Sequence, residues 1–258
     1  MVEKPRTPAG GPARGRVAHR PGTEPDVTLD PALVDVLESA ARLQQLVPDA
    51  VLVGDSAAVA YVVHRLSFDH DHVVDDLRGR FDVVLEALEV EGEWVTNRVR
   101  PGKVILGQIG DIEGGVRQLI RRTPLEVTEL TLPSGAKVRV PTPDETLRIK
   151  AFLIVKRNQV RDYLDVAALA DRYGIDHAAA VLARIDDFYA DQHDGQHDDQ
   201  GEGVASQVVR QLAAPTPADT ATLKELHRYK GLAPRWHQWS DVVSVCRRLA
   251  AAITKGVV

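Results

Sequence analysis

Between Trp94 and Val140 the chain is a series of short β-rich runs, and from Pro143 onward it keeps helical periodicity without another such run. That segregation limits the chain to an α+β arrangement, because strands and helices that are grouped along a sequence cannot alternate around a parallel sheet. The β-rich runs are Trp94-Val95, Lys103 to Ile109, Leu125 to Leu132 and Lys137 to Val140. Pro101-Gly102, Gly114-Gly115 and Pro133-Ser134-Gly135 split them, the last as a turn between two strands. Helices are predicted over 143–156, 161–172, 175–190, 204–213, 219–228 and 237–254. The first of these begins at Thr142-Pro143-Asp144-Glu145, a capping hydroxyl followed by proline and two acids in the first turn.

The N-terminal third has its own order. Residues 1–29 are rich in Pro, Gly and Arg and nearly devoid of large apolar side chains, so they bury too little surface to offset chain entropy and are expected to be a flexible tail. Asp30-Pro31 starts a helix whose apolar face is Leu33, Val34, Leu37, Ala40, Leu43 and Leu46, and Pro48 ends it. Val51-Leu52-Val53 is a short buried strand. Gly54-Asp55-Ser56 forms a turn, with a helix from Ala57 to about His64. Ser67 to Val74 is a strand, and Asp75-Asp76 open a helix to about Leu88. The expected organisation is a tail (1–29), an α/β domain with a mixed sheet (30–141) and a helical bundle (142–258).

Composition narrows the function classes. The 258 residues are 44% hydrophobic and 27% charged, which suits a packed globular chain. A net charge of −5 gives no overall signature of a nucleic-acid binder, although a local basic groove stays compatible with it. The lone Cys246 excludes an internal disulfide framework and a cysteine metal cluster, and fits a reducing compartment. No apolar run approaches the ~20 residues that cross a bilayer. The basic N-terminus is followed by no apolar segment. A cytoplasmic protein without membrane contact is expected. His193 and His197, four apart in a His/Asp/Gln/Gly-rich stretch, lack an apolar surround that would shield a metal, and a solvated loop is expected there.

Two constellations carry chemistry. In Arg65-Leu66-Ser67-Phe68-Asp69-His70-Asp71, strand alternation points Asp69 and Asp71 the same way. Paired carboxylates repel unless a cation lies between them, and Mg²⁺ (or Mn²⁺) on such hard oxygens keeps positions open for phosphate. Upstream, Gly54-Asp55-Ser56 lies between a strand and a helix N-terminus, where free N–H groups and the helix dipole favour an anion. Gly54 and Ser56 are therefore candidates for phosphate contact, and Arg65, near the far end of that helix, for contact with phosphate or with the second substrate. The second constellation runs from Lys150 to Asp165. Lys150 sits among Leu147, Ala151 and Ile154 and needs a partner, for which Asp165 or a phosphate serves.

In these segments the chain resembles the AbiEii-type, or MenT-like, nucleotidyltransferase toxins of the DNA polymerase β-like nucleotidyltransferase superfamily. The matching elements are Leu52-Val53-Gly54-Asp55-Ser56-Ala57, Arg65 to Asp71, Leu147-Arg148-Ile149-Lys150-Ala151 and Arg161-Asp162-Tyr163-Leu164-Asp165-Val166. The resemblance implies a nucleotidyltransferase-like mixed sheet with flanking helices, followed by the helical bundle. It also implies transfer of a nucleoside monophosphate from an NTP to an acceptor, for some members the tRNA 3′ end, and a toxin paired with an antitoxin. In that frame Asp69 and Asp71 hold Mg²⁺, and Gly54, Ser56 and Arg65 contact phosphate. Lys150 neutralises the triphosphate, and Asp165 orients Lys150 or acts as a base. A basic surface for RNA would draw on Lys156, Arg157, Arg161, Lys224, Arg228, Lys230, Arg235, Arg247 and Arg248, although for most of them an ordinary solvated helix face is expected. Asp55 departs from the family's turn, and a carboxylate there opposes a triphosphate unless it points away or joins the metal site. A third carboxylate is not evident, with Asp111 and Glu113 as positional candidates only.

Overall fold

The computed structural model describes residues 30–90, 92–190 and 202–256. The N-terminal segment and the His193/His197 pair lie outside the described residues. Helix α1 (Pro31–Leu46) starts as expected: Asp30 Oδ1 accepts from the Ala32 N–H at 2.9 Å, with Pro31 at the first position. Strand β1 (Val51–Val53) breaks directly into α2 (Gly54–Tyr61), so the Gly-Asp-Ser turn is the first turn of a helix. Gly54 makes this possible, since its φ of 78° is disfavoured for any residue with a Cβ. Strand β2 (Asp69–Val74) follows. The helix expected from Asp75 starts only at Phe81, as α3 (Phe81–Glu89). Before it, the Asp76 carboxylate accepts from Gly79 N–H at 2.8 Å and Gln118 Oε1 accepts from Arg78 N–H at 2.9 Å, which holds the segment as turns.

Strands β3 (Trp94–Arg100), β4 (Val104–Ile109) and β5 (Ile112–Gln118) complete a five-stranded sheet in the order β1-β2-β5-β4-β3. Strands β2 and β5 are parallel, and the other pairs are antiparallel. Gly114-Gly115, expected to interrupt the strands, lies instead in the middle of β5. A Cβ on Gly114 would collide with the His70 ring, and one on Gly115 would come within 2.8 Å of Leu106 Cδ2 and 3.1 Å of Asp71 Oδ1. The glycines let β5 pass close to the large side chains of its neighbours.

Strands β6 (Val127–Thr131) and β7 (Lys137–Pro141) form a separate two-stranded sheet instead of extending the first. The Gln44 side chain pins β7 to α1, accepting from Arg139 N–H at 2.8 Å and donating to Arg139 O at 2.9 Å.

Helices α4 (Pro143–Arg157), α5 (Val160–Tyr173), α6 (Ile175–Ala183), α7 (Asp186–Tyr189), α8 (Val204–Ala213), α9 (Thr220–Lys224) and α10 (Trp239–Gly256) follow. Thr142 caps α4 by accepting from Glu145 N–H at 3.2 Å, and Asn158 ends it in the left-handed conformation. One apolar cluster, with Leu43, Leu77, Phe81, Trp94 and Ile105, lies between the back of the sheet and α1 and α3. A second runs from Leu33 and Leu52 through Val140 and Phe152 to Ile253, so the core continues across residue 141. Among the described residues no helix is long and apolar enough to cross a membrane.

Candidate functional site

The front of the sheet holds the dicarboxylate. Along β2, His70, His72 and Val74 are buried towards α1, while Asp69, Asp71 and Val73 face the other way and are at least partly exposed. This alternation is the one expected of the Asp-x-Asp segment. Gly54 stands against the pair: a Cβ on it would lie 3.8 Å from Asp71 Cβ. The first N–H groups of α2 have no partner within the helix, and Gly54 and Asp55 line a cavity of about 550 Å³ together with Asp69 and Asp71. Its far wall comes from α4, α5 and α7, with Ile149, Phe152, Leu153, Arg157, Arg161 and Tyr189. Phe152 and Tyr189 stack with centroids 4.2 Å apart.

Behind that cavity lies a buried charge cluster. Lys150 Nζ reaches Asp55 Oδ1 at 2.7 Å and Asp165 Oδ2 at 2.6 Å. Arg65 Nη2 lies 3.0 Å from Asp55 Oδ1 and 2.9 Å from Asp165 Oδ1. His64 Nε2 adds a 2.7 Å contact to Asp165. Burial alone would raise the Asp55 and Asp165 carboxyl pKa values, but Lys150 and Arg65 outweigh it and hold both well below the usual carboxylate range. For Lys150, burial favours the neutral amine, and Asp165 and Asp55 reverse that and keep it charged. Asp55 thus borders the cavity with its Oδ1 committed to this cluster, and Arg161 Nη1 lies 3.5 Å from its other oxygen.

The expected nucleotide contacts thus divide. Gly54 borders the cavity. Ser56 is buried, its hydroxyl donating to Asp69 O at 2.5 Å and lying 2.9 Å from the Ser67 hydroxyl, so it fastens α2 to β2. Arg65 and Lys150 are buried with their charge matched, and Asp165 is fully enclosed by their partners. The arginines that do border the cavity are Arg117, Arg121, Arg157 and Arg161. Arg157 is held by Asp162 at 2.6 Å, and Arg121 by Glu145 at 2.7 Å.

No sequence motif marks Arg117, yet its Nε sits 3.0 Å from Asp71 Oδ1. Register explains this: Asp69, Asp71 and Val73 pair with Glu113, Gly115 and Arg117, and paired residues share a face. Period-two alternation from Glu113 would have placed Arg117 on one face with Glu113 and Gly115 had Gly114-Gly115 not suggested a break; the pairing with β2 brings that face to Asp71. Glu113 stands across from Asp69, but no group of three His, Cys, Asp or Glu side chains among the described residues is placed to hold a metal. Two hard carboxylates suit Mg²⁺, which binds through one or two of them and completes its shell with water and phosphate.

Compared with solved structures, the chain superposes on MenT4, a nucleotidyltransferase toxin from Mycobacterium tuberculosis H37Rv, with a TM-score of 0.54 at 17% identity, over 86% of this chain and 83% of that one. The fold is nucleotidyltransferase-like. No family model matches the chain. Among curated proteins it is similar to the heme uptake protein MmpL11 of Mycobacterium tuberculosis H37Rv, 33% identical in an alignment 242 positions long that covers 84% of this chain and 22% of that protein. It is also 32% identical over 197 residues to the mycolic acid-containing lipids exporter MmpL11 of Mycolicibacterium smegmatis, covering 71% of this chain and 18% of that protein. The chain spans about a fifth of the length of these relatives.

Proposed function

We propose that the chain is a cytoplasmic nucleotidyltransferase that moves a nucleoside monophosphate from an NTP to the 3′ end of an RNA, tRNA being the acceptor its family resemblance suggests. The observation that carries this reading is the placement of Asp69 and Asp71, side by side on the wall of the 550 Å³ cavity, with the free end of α2 against Asp71. Bound Mg²⁺ or Mn²⁺ would neutralise charge on the triphosphate and on the departing pyrophosphate. Asp69 and Asp71 are its ligands. The α2 N–H groups and Arg161 contact the phosphates, and the apolar end at Ile149, Phe152 and Leu153 shelters the base. Lys150 and Asp165 act by positioning, because they fix Asp55 and Arg65 behind the cavity. Activity of this kind, held in check by a cognate antitoxin, would make the chain the toxin of a pair. Heme uptake and lipid export, named for the longer relatives, form no part of the proposal.

The test is incubation with Mg²⁺, total tRNA and each α-labelled NTP in turn, beside a variant with Asp69→Ala and Asp71→Ala. Label on RNA with the native chain alone supports transfer and names the base. A second reading is a binding module without turnover, favoured by the Ser56 hydroxyl, Arg65 and Lys150 all being engaged internally. Saturable NTP binding with no transfer to RNA or protein would select it.

A further inference from the structure

Asp69, Asp71 and Arg117 belong to two cavities at once. The larger lies between the sheet and the helices. The other, about 270 Å³, opens over the sheet itself and is lined further by Asn97, Arg98, Leu106 and Glu113. The two walls differ in chemistry. Ile149, Phe152, Leu153 and Tyr189 border only the first, whereas the second has a polar rim over a glycine floor.

Register extends this second cavity into a basic track. One row across the sheet runs Asp71, Gly115, Leu106, Arg98, and the next runs Val73, Arg117, Val104, Arg100. Every member of a row shares the front face. Arg98 and Arg100 are exposed on β3, the free edge of the sheet, and among the described residues neither has an ion-pair partner. Two same-face residues on one strand stand ~6.6 Å apart, close to one nucleotide step of a single strand. Beyond them, Arg78 lies over the β3–β4 turn, its Cγ 3.3 Å from where a Gly102 Cβ would be, and Lys103 is exposed beside it. Guanidinium groups without a carboxylate partner are suited to bidentate phosphate contact.

We infer that the second cavity and the Arg98–Arg100 edge form the acceptor subsite, and that the acceptor is a single-stranded RNA end laid across β5, β4 and β3. The inference rests on the nucleotidyl-transfer reading. Arg98 and Arg100 take backbone phosphates, and the terminal hydroxyl reaches Asp69 and Asp71 across β5, where Gly115 sets no side chain beside Asp71. The two substrates then meet from opposite sides of the carboxylates, as in-line displacement requires. The hydroxyl oxygen bonds to the α-phosphorus and loses its proton to solvent in this open cavity. The α–β P–O bond breaks, and its electron pair leaves with pyrophosphate on the other side.

The experiment measures binding of a 5′-fluorescein RNA of ~12 nucleotides, and of total tRNA, by anisotropy across a salt series. The full chain is compared with Arg98→Glu/Arg100→Glu, with the milder Arg98→Gln/Arg100→Gln, and with a control, Arg172→Glu/Arg184→Glu, at two exposed positions of the helical half. The β3 variants should weaken RNA binding about tenfold or more, with the Gln pair in between, and lower the salt slope by about 1.4 for two single-strand phosphates. Binding of a fluorescent NTP analogue with Mn²⁺ should be unchanged, as should RNA binding by the Arg172/Arg184 control. Equal RNA affinity in the β3 variants, or no RNA binding by a chain that labels a protein, would overturn the subsite. RNA binding lost with Arg98 and Arg100 in a chain that transfers no nucleotide would keep the subsite and remove the transfer reading instead.

Discussion

Asp55 Oδ1 accepts from Lys150 Nζ at 2.7 Å, so the carboxylate in the first turn of α2 is the counter-charge of a lysine 95 positions away on α4. With Arg65 and Asp165 the two make a buried array of two cations and two anions. Charges enclosed this deeply repay their desolvation only while each keeps its partners. Asp55→Ala should therefore cost about 3–5 kcal/mol of folding stability, read from urea denaturation. An unchanged midpoint would mean that Asp165 alone satisfies Lys150 and Arg65.

Asp69 and Asp71 should behave oppositely. Both are at least partly exposed, and the 3.0 Å pair of Asp71 with Arg117 is half in solvent, which makes it worth little to folding. Alanine at either position should move stability by no more than about 0.5 kcal/mol. Mn²⁺ affinity, followed by calorimetry, should fall by at least about a hundredfold, the upper range for changes made only around a metal site. Wild-type Mn²⁺ affinity in the double variant would place the cation elsewhere.

These contrasts mark what local sequence conveys. The starts of α1 and α4 were readable because Asp30-Pro31 and Thr142-Pro143 act on N–H groups two or three residues away. The facing of Asp69 and Asp71 was readable because strand alternation is local too. The Lys150–Asp55 and Arg117–Asp71 contacts link residues 95 and 46 positions apart, and no local signal ranks such partners. Ser56 shows the limit most plainly. Its place after Gly54 suggests a phosphate contact, yet its hydroxyl ties α2 to the start of β2, a use visible only once β2 lies beside it.

The paired glycines of β5 predict two separable defects. Gly114→Ala drives a methyl into the His70 ring on the buried side, so it should lower stability by about 1–3 kcal/mol, the usual cost of overpacking. Gly115→Ala acts on the other face, where its Cβ would come 3.1 Å from Asp71 Oδ1 and 2.8 Å from Leu106 Cδ2. It should weaken Mn²⁺ binding and RNA binding more than it weakens folding. Calorimetry and denaturation on both variants separate the two, and identical profiles would contradict the opposite facing of neighbouring strand residues.

Acid should loosen the sheet before it reaches the charge cluster. His70 and His72 lie under α1 with ring centroids 5.2 Å apart, and Ser39 Oγ, 3.0 Å from His70 Nε2, partners the only satisfied nitrogen of the four. Burial pushes the His70 imidazole down to about 4 against the opposing pull of Asp69, and burial with the neighbouring His70 pushes His72 well below its ordinary value. In the unfolded chain these rings take up protons near pH 6.5, while in the folded chain His70 resists until about 4 and His72 also stays neutral well below its ordinary value. Stability is therefore full above ~6.5 and declines as pH falls through that window, by roughly 3 kcal/mol from His70 alone. The depressed carboxyls of Asp55 and Asp165 contribute their loss only at still lower pH. Denaturation midpoints between pH 7 and pH 4.5 should fall steadily in the native chain. They should fall less in His72→Phe, which removes one proton acceptor while keeping the volume filled. A pH-independent midpoint in the native chain would mean that both rings reach solvent as readily folded as unfolded.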